Sequence, residues 1–170
     1  MTAIFNSLTR AAVAVGAVLA LSACVTPGPA PSLMQHLDTT LRQAAPDRKV
    51  SLRLSPETIT TGQALQLEVR SDQAGYLYVF QVGTDAKQLT QVFPNAIDGA
   101  NFLPANTSAS LPRPGWRLSA RGPAGVGYLM AVVTAEPQDL MALQAQLQAN
   151  TFQLKGPYAA TMAPLRELAP

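Results

Sequence analysis

"GYLYVFQVGTDAKQLTQVFPN", residues Gly75 to Asn95, decides the fold. Its first part, Gly75 to Gly83, is apolar or aromatic at almost every position. An extended segment of that kind must be covered on both faces, so it reads as a central strand. Tyr76, Tyr78 and Phe80 share one face of it, and Leu77 and Val79 share the other. "TDAK" then turns the chain. "QLTQVFPN", Gln88 to Asn95, returns as a partner strand that Pro94 must end, because proline has no N–H for a ladder. The pair is a hairpin. Its aromatic face suits a core seam, where cross-strand pairs contribute ~0.2–1 kcal/mol each. Exposed tyrosine is also good contact material, so Tyr76 and Tyr78 are candidate binding residues.

The same two-residue period extends to either side. In "VSLRLS", Val50, Leu52 and Leu54 fall on one face and Arg53 on the other. In "QALQLEVRS", Leu65, Leu67 and Val69 point inward while Gln66, Glu68 and Arg70 point outward. Such alternation marks strands with one solvated face. "TTG", Thr60 to Gly62, is a turn. Downstream, "WRLSA" and "GYLMAVVTA" (Gly127 to Ala135) read as closing strands joined by the turn "RGPAG". A short extended piece is expected near Thr107 to Leu111. The fold class that follows is mainly β: an antiparallel β-sandwich, immunoglobulin-like or related, with one or two short helices.

Those helices show a different period. Leu33, Leu37 and Leu41 recur every fourth residue in "LMQHLDTTLRQ", a short amphipathic helix. Leu140, Leu143 and Leu147 predict a second helix from about Pro137 to Gln148, with Pro137 in its first turn. The remaining segment, "FQLKGPYAATMAPLRELAP", is expected to add an edge strand and then fray.

The long connection from Asn95 to Pro114 holds Ile97, Phe102, Leu103 and Leu111 and leads to Trp116, the only tryptophan. Connections of this length tend to be functional or mobile. Phe102 and Leu103 are expected to fold back on the sandwich, because exposing them invites self-association. Arg113, between Pro112 and Pro114, is expected to project outward as a contact residue. Arg113, Phe102 and Trp116 therefore join Tyr76 and Tyr78 as candidate binding residues.

The chain opens with "MTAIFNSLTRAAVAVGAVLALSAC". Arg10 precedes an uncharged apolar run, Ala11 to Leu21, and then small residues. That is the order of an export signal, and the run is shorter than the ~20 residues a membrane-crossing helix needs. Cys24, the only cysteine, stands at the expected cut. "LSAC", Leu21 to Cys24, resembles the bacterial lipobox. The resemblance implies that Cys24 is thioether-linked to a diacylglycerol and acylated on its amine. Three acyl chains hold firmly where one anchors only marginally. Val25 rather than aspartate follows Cys24, which by resemblance to enteric-type sorting implies the outer membrane, periplasmic face. "VTPGPAPS", Val25 to Ser32, is a tether of proline and small residues.

Boundaries follow: a lipoprotein signal peptide over 1–23; the lipidated cysteine, tether and short helix over 24–47; a β-sandwich domain over 48–160; and a flexible tail over 161–170. Loss of Arg10 with the signal lowers the formal charge of +2 to near +1. No Lys/Arg cluster is present to neutralise phosphates, so nucleic acid is not an expected partner.

Reactive constellations are sparse. His36 is the only histidine and lies in the first helix, away from any domain cleft, and with Cys24 lipidated no zinc site can be assembled. Glu57, Asp72, Asp85 and Asp98 fall in turns and loops, at no spacing that pairs them for acid–base work. "GPAGVG", Gly122 to Gly127, lacks the Lys-Ser/Thr ending of a phosphate loop and leads into a strand, so it reads as a turn. No cofactor is expected.

One resemblance spans about residues 50 to 135. Gly75, Tyr76, Tyr78, Val79 and Phe80, then Phe93, Pro94 and Asn95, then Gly122, Pro123 and Gly125 match the pattern of a bacterial family of unknown function. Gln91 and Val92 depart from it, standing where an apolar pair is usual. The resemblance implies an envelope protein or appended module, in some members near type VI secretion genes, and it carries no catalytic residues. The expected function is a non-catalytic, lipid-anchored periplasmic binding or assembly module with an envelope protein partner, linked through the resemblance to a secretion system. Alternatives are a small-ligand-binding lipoprotein, using the loop from Ala96 to Pro114, and a carboxylate-dependent hydrolase.

Overall fold

A computed structural model describes residues 32–170. The signal, Cys24 and nearly all of the tether lie outside the described residues. The elements in chain order are α1 (Leu33–Arg42), β1 (Val50–Ser55), β2 (Thr58–Thr60), β3 (Gln66–Ser71), β4 (Gly75–Val82), β5 (Leu89–Phe93), β6 (Phe102–Leu103), β7 (Ser108–Leu111), β8 (Gly125–Thr134), α2 (Leu140–Gln148) and β9 (Tyr158–Leu168). The protein is mainly β, with two facing sheets and two helices, as the alternation predicts.

The smaller sheet has the order β1-β3-β7 and is antiparallel throughout. In β3 the burial alternates strictly, with Leu67, Val69 and Ser71 inward. The larger sheet has the order β2-β9-β8-β4-β5, with β6 also pairing with β4. It is mixed rather than purely antiparallel, because β2 runs parallel to β9. The predicted hairpin is present: β5 pairs with β4, and Val79 lies opposite Phe93. The register slips next to that pair, leaving Val92 as an extra residue in a bulge.

Between the sheets lies one core, with Leu54, Leu67, Val69 and Leu111 from the smaller sheet. Leu77, Val79, Phe93, Leu129, Ala131 and Val133 face them from the larger. The other face of the larger sheet has a core of its own: Tyr78, Phe80, Val82, Met130 and Val132 pack against Leu37 of α1, Leu143 of α2 and Phe152. The molecule thus has three layers. This explains why β4 and β8 are apolar on both faces, whereas β3 alternates.

Local chemistry fixes the helices. Ser32 and Gln35 form a reciprocal capping box at the start of α1, and Leu37 is fully buried. The Asp139 carboxylate accepts from the Met141 and Ala142 N–H groups and starts α2. Pro137 therefore precedes the cap, instead of occupying the helix's first turn.

Three expectations need correction. The segment 161–170 is not a flexible tail: β9 runs to Leu168 and pairs with β8 from Tyr158 to Glu167, with Leu165 and Glu167 buried. The terminal residues are tied down because "TMAPLREL" can bury apolar side chains on both sides of a sheet. "WRLSA" is not a ladder strand: its one β-bridge is Ala64 to Ser119, and the Leu118 and Ala120 backbone groups bond to the turn over 62–65. The first helix is not separable from the sandwich domain, since the Ala45 N–H bonds the Tyr158 carbonyl and the Tyr158 hydroxyl donates to the Thr40 carbonyl.

Candidate functional site

The connection after β5 is held by a polar knot. Asn95 Oδ1 accepts from the Ile97 and Asp98 N–H groups, at 3.0 Å each, while its Nδ2 donates to the Val92 carbonyl. Asparagine suits this position because its short side chain reproduces a backbone turn. The turn aims Asp98 at two donors. Arg113 Nη1 lies 2.8 Å from Oδ1, and Trp116 Nε1 lies 3.1 Å from Oδ2. Arg113 also donates to the Ala100 carbonyl at 2.7 Å and sits 5.2 Å above the Phe93 ring centroid. The Phe93 and Trp116 rings are nearly parallel, with centroids 6.5 Å apart.

Arg113 is therefore structural and does not project outward as a contact residue. Its charge is neutralised by Asp98, and its five donors suit a loop with several free acceptors. Tyr78 is also internal: it is buried, and its hydroxyl accepts from the Gln138 N–H at 2.8 Å. Tyr76 is half-buried and meets Phe102 edge to face at 5.5 Å. Leu103 folds back as expected, but Phe102 does not, being 57 % exposed. In a two-residue strand, neighbouring side chains must point to opposite faces. Trp116 is half-buried at the edge of the knot. Of the predicted contact residues, the knot brings together Arg113 and Trp116; Tyr76 and Phe102 form a separate pair, and Tyr78 joins neither. Cys24 lies outside the described residues.

Beside the knot lies an open cleft of about 550 Å³. Its walls come from Thr90, Gln91 and Val92 of β5 and from Trp116 to Ser119. Ile97, Arg121, Gly122 and Glu167 are among the other residues that line it. Ile97 is 69 % exposed. Arg117 and Arg121 are exposed, and neither has an ion-pair partner among the described residues. Glu167 is the only carboxylate lining the cleft, and its Oε2 accepts from the Gly122 N–H at 2.8 Å. A second groove, of about 400 Å³, runs along the other side of β5 between Gln88 to Gln91 and the Gln144, Leu147 and Gln148 side of α2. Among the described residues no three His, Cys, Asp or Glu side chains cluster as metal ligands. His36 lies in the helical layer, where its Nε2 donates to the Phe152 carbonyl.

Sequence reasoning missed Arg117, Arg121 and Glu167. Arg117 was concealed by reading "WRLSA" as a ladder strand, Arg121 by placing it in the turn "RGPAG", and Glu167 by assigning it to a tail. No helix among the described residues is long and apolar enough to cross a membrane.

No curated protein and no solved structure matches the chain. A family match does exist, over the segment from β2 to just past β8 that holds the hairpin, the knot and most of the cleft: residues 58–137 match the family described as a domain of unknown function (DUF4384).

Proposed function

We propose that the protein is a non-catalytic binding or assembly module, lipid-anchored through Cys24 to the periplasmic face of the outer membrane, with a protein partner in the envelope. The observation that carries the binding role is the open cleft beside the knot. It offers an exposed Ile97, the Trp116 ring and two arginines that have no ion-pair partner among the described residues. Apolar and arginine groups at one place make a typical contact surface. The anchor is supported by the Leu21–Cys24 lipobox and the tether after it. A role in a secretion machine is supported by the family resemblance. A small-ligand reading has one point in its favour: 550 Å³ falls within the ~300–1,000 Å³ of ligand pockets.

The test is a photo-crosslinking residue at Ile97 in living cells, with Cys24 intact or changed by Cys24→Ser. The intact form is expected to sediment with outer membrane and to give a discrete envelope adduct. The serine form should lose both. A serine form that still sediments with outer membrane overturns the anchor. Absence of any adduct from the cleft overturns the protein-binding role.

A further inference from the structure

We infer that β5 is a docking edge for an extended, acidic segment of the partner, which joins the larger sheet as an additional strand. This rests on the binding-module reading and specifies its site. β5 ends the strand order of that sheet. Exposed edges are usually blunted by charged residues, proline or a covering element. The five residues of β5, Leu-Thr-Gln-Val-Phe, carry no charge.

The direction of its backbone groups follows from β4. Leu77 receives Asn101 on the side that β5 occupies: its N–H bonds the Asn101 carbonyl, and Asn101 Nδ2 donates to the Leu77 carbonyl. Alternation directs Gln81 to the same side. Thr90, opposite Gln81, therefore turns its backbone groups toward β4, and Leu89 and Gln91 turn theirs outward. Among the described residues no loop or turn carbonyl accepts from those outward N–H groups. The Gln91 side chain adds a further acceptor. Its Nε2 is committed to the Pro94 carbonyl at 2.7 Å, and its buried Oε1 has no partner.

A strand added here would send alternate side chains into the two grooves that flank β5, both of which Thr90 and Gln91 line. The groove toward α2 is lined by uncharged residues. The cleft on the other side presents exposed Arg117 and Arg121 against one carboxylate, the buried Glu167, so its accessible charge is positive. That asymmetry selects acidic side chains on one face of the guest strand. It also disfavours a second copy of the chain. Two-fold pairing of β5 with itself would set both pairs of arginines on the same face.

The probe is a short labelled peptide of alternating valine and glutamate, titrated onto the full chain in detergent micelles. Its controls are the lysine counterpart and a version N-methylated at alternate amides. The glutamate peptide is expected to bind about tenfold more tightly than the lysine one at low salt, with the gap closing as salt rises. N-methylation should abolish binding. Combining Arg117→Glu with Arg121→Glu should invert the charge preference at an unchanged melting midpoint. Equal binding of both peptides, or full binding of the N-methylated one, overturns the inference. So does a concentration-dependent dimer that the glutamate peptide disrupts. Failure of the peptide with an envelope adduct still formed at Ile97 removes the added strand alone and leaves the module reading standing.

Discussion

Arg113 reaches back across the loop to hold Asp98 at 2.8 Å while lying over the face of Phe93. One side chain thus joins the loop to the core between the sheets. Asp98 is the more buried partner, with 11 % of its side chain exposed against 35 % for Arg113. Removing the arginine leaves a carboxylate whose one remaining partner among the described residues is the Trp116 N–H. Arg113→Glu is expected to cost about 1–3 kcal/mol in urea unfolding, and Arg113→Lys somewhat less, since lysine keeps the charge without the planar fork. A loss within the ~0.5 kcal/mol usual for surface changes would show that the knot is not a stabilising device.

Phe93 has no exposed surface and packs among Val79, Leu129 and Ala131. Phe93→Ala is expected to cost about 3–5 kcal/mol, the range for emptying a large aromatic site. The change has its own optical reporter. Trp116 is the only tryptophan and lies parallel to the Phe93 ring. Its emission should shift to longer wavelength in the folded Phe93→Ala variant, as water reaches the exposed indole face. Unaltered emission would mean that Trp116 is positioned by Asp98 alone.

Gly75 opens β4 where two strands come close. A methyl group there would lie 2.4 Å from the Thr134 carbonyl oxygen and 2.8 Å from Val133 Cγ1. The carbonyl belongs to backbone and cannot rotate away, so β4 and β8 would have to separate. Gly75→Ala is expected to destabilise by about 1–3 kcal/mol, the usual cost of forcing extra volume into a packed site. Gly99→Ala is the control. Nothing lies within 4 Å of its added methyl, and its stability should barely change. Equal effects at the two positions would refute the packing account.

Much of this fold was legible from the positions of apolar residues. Gly75–Gly83 had to be covered on both faces, and it is, by the smaller sheet on one side and the helices on the other. What periodicity did not disclose is which elements do the covering. "LMQHLDTTLRQ" gave a helix but no address, since an amphipathic stripe does not name its counterpart. The segment from Tyr158 to Leu168 alternates poorly because both of its faces are covered, with Ala163 and Leu165 in the core between the sheets and Tyr158 and Met162 under the helices. The cleft was illegible for a related reason: β5, Trp116–Ser119 and Glu167 meet only through tertiary folding. Arg113 was misread because its partner lies in the same loop, where spacing carries no geometric information.

Tyr158 joins the first helix to the last strand, and it offers a test at alkaline pH. Its hydroxyl donates to the Thr40 carbonyl at 2.8 Å, and its own carbonyl receives the Ala45 N–H. Burial raises the pKa of this phenol above its ordinary value of 10.0, because the anion would be poorly solvated there. The unfolded chain therefore ionises at lower pH than the folded one. The stability contributed by keeping the phenol neutral is complete below about pH 10 and is lost as the pH rises through the folded pKa. Tyr158→Phe removes both the hydrogen bond and the titration. At neutral pH it is expected to cost about 0.5–1.5 kcal/mol, since Thr40 loses its buried donor. As the pH is raised past 10, urea midpoints of the natural protein should fall more steeply than those of the variant, and the two curves should converge. Parallel curves would mean that Tyr158 is as free to ionise in the fold as out of it, and that α1 is held to the sheet by Leu37 and its apolar neighbours alone.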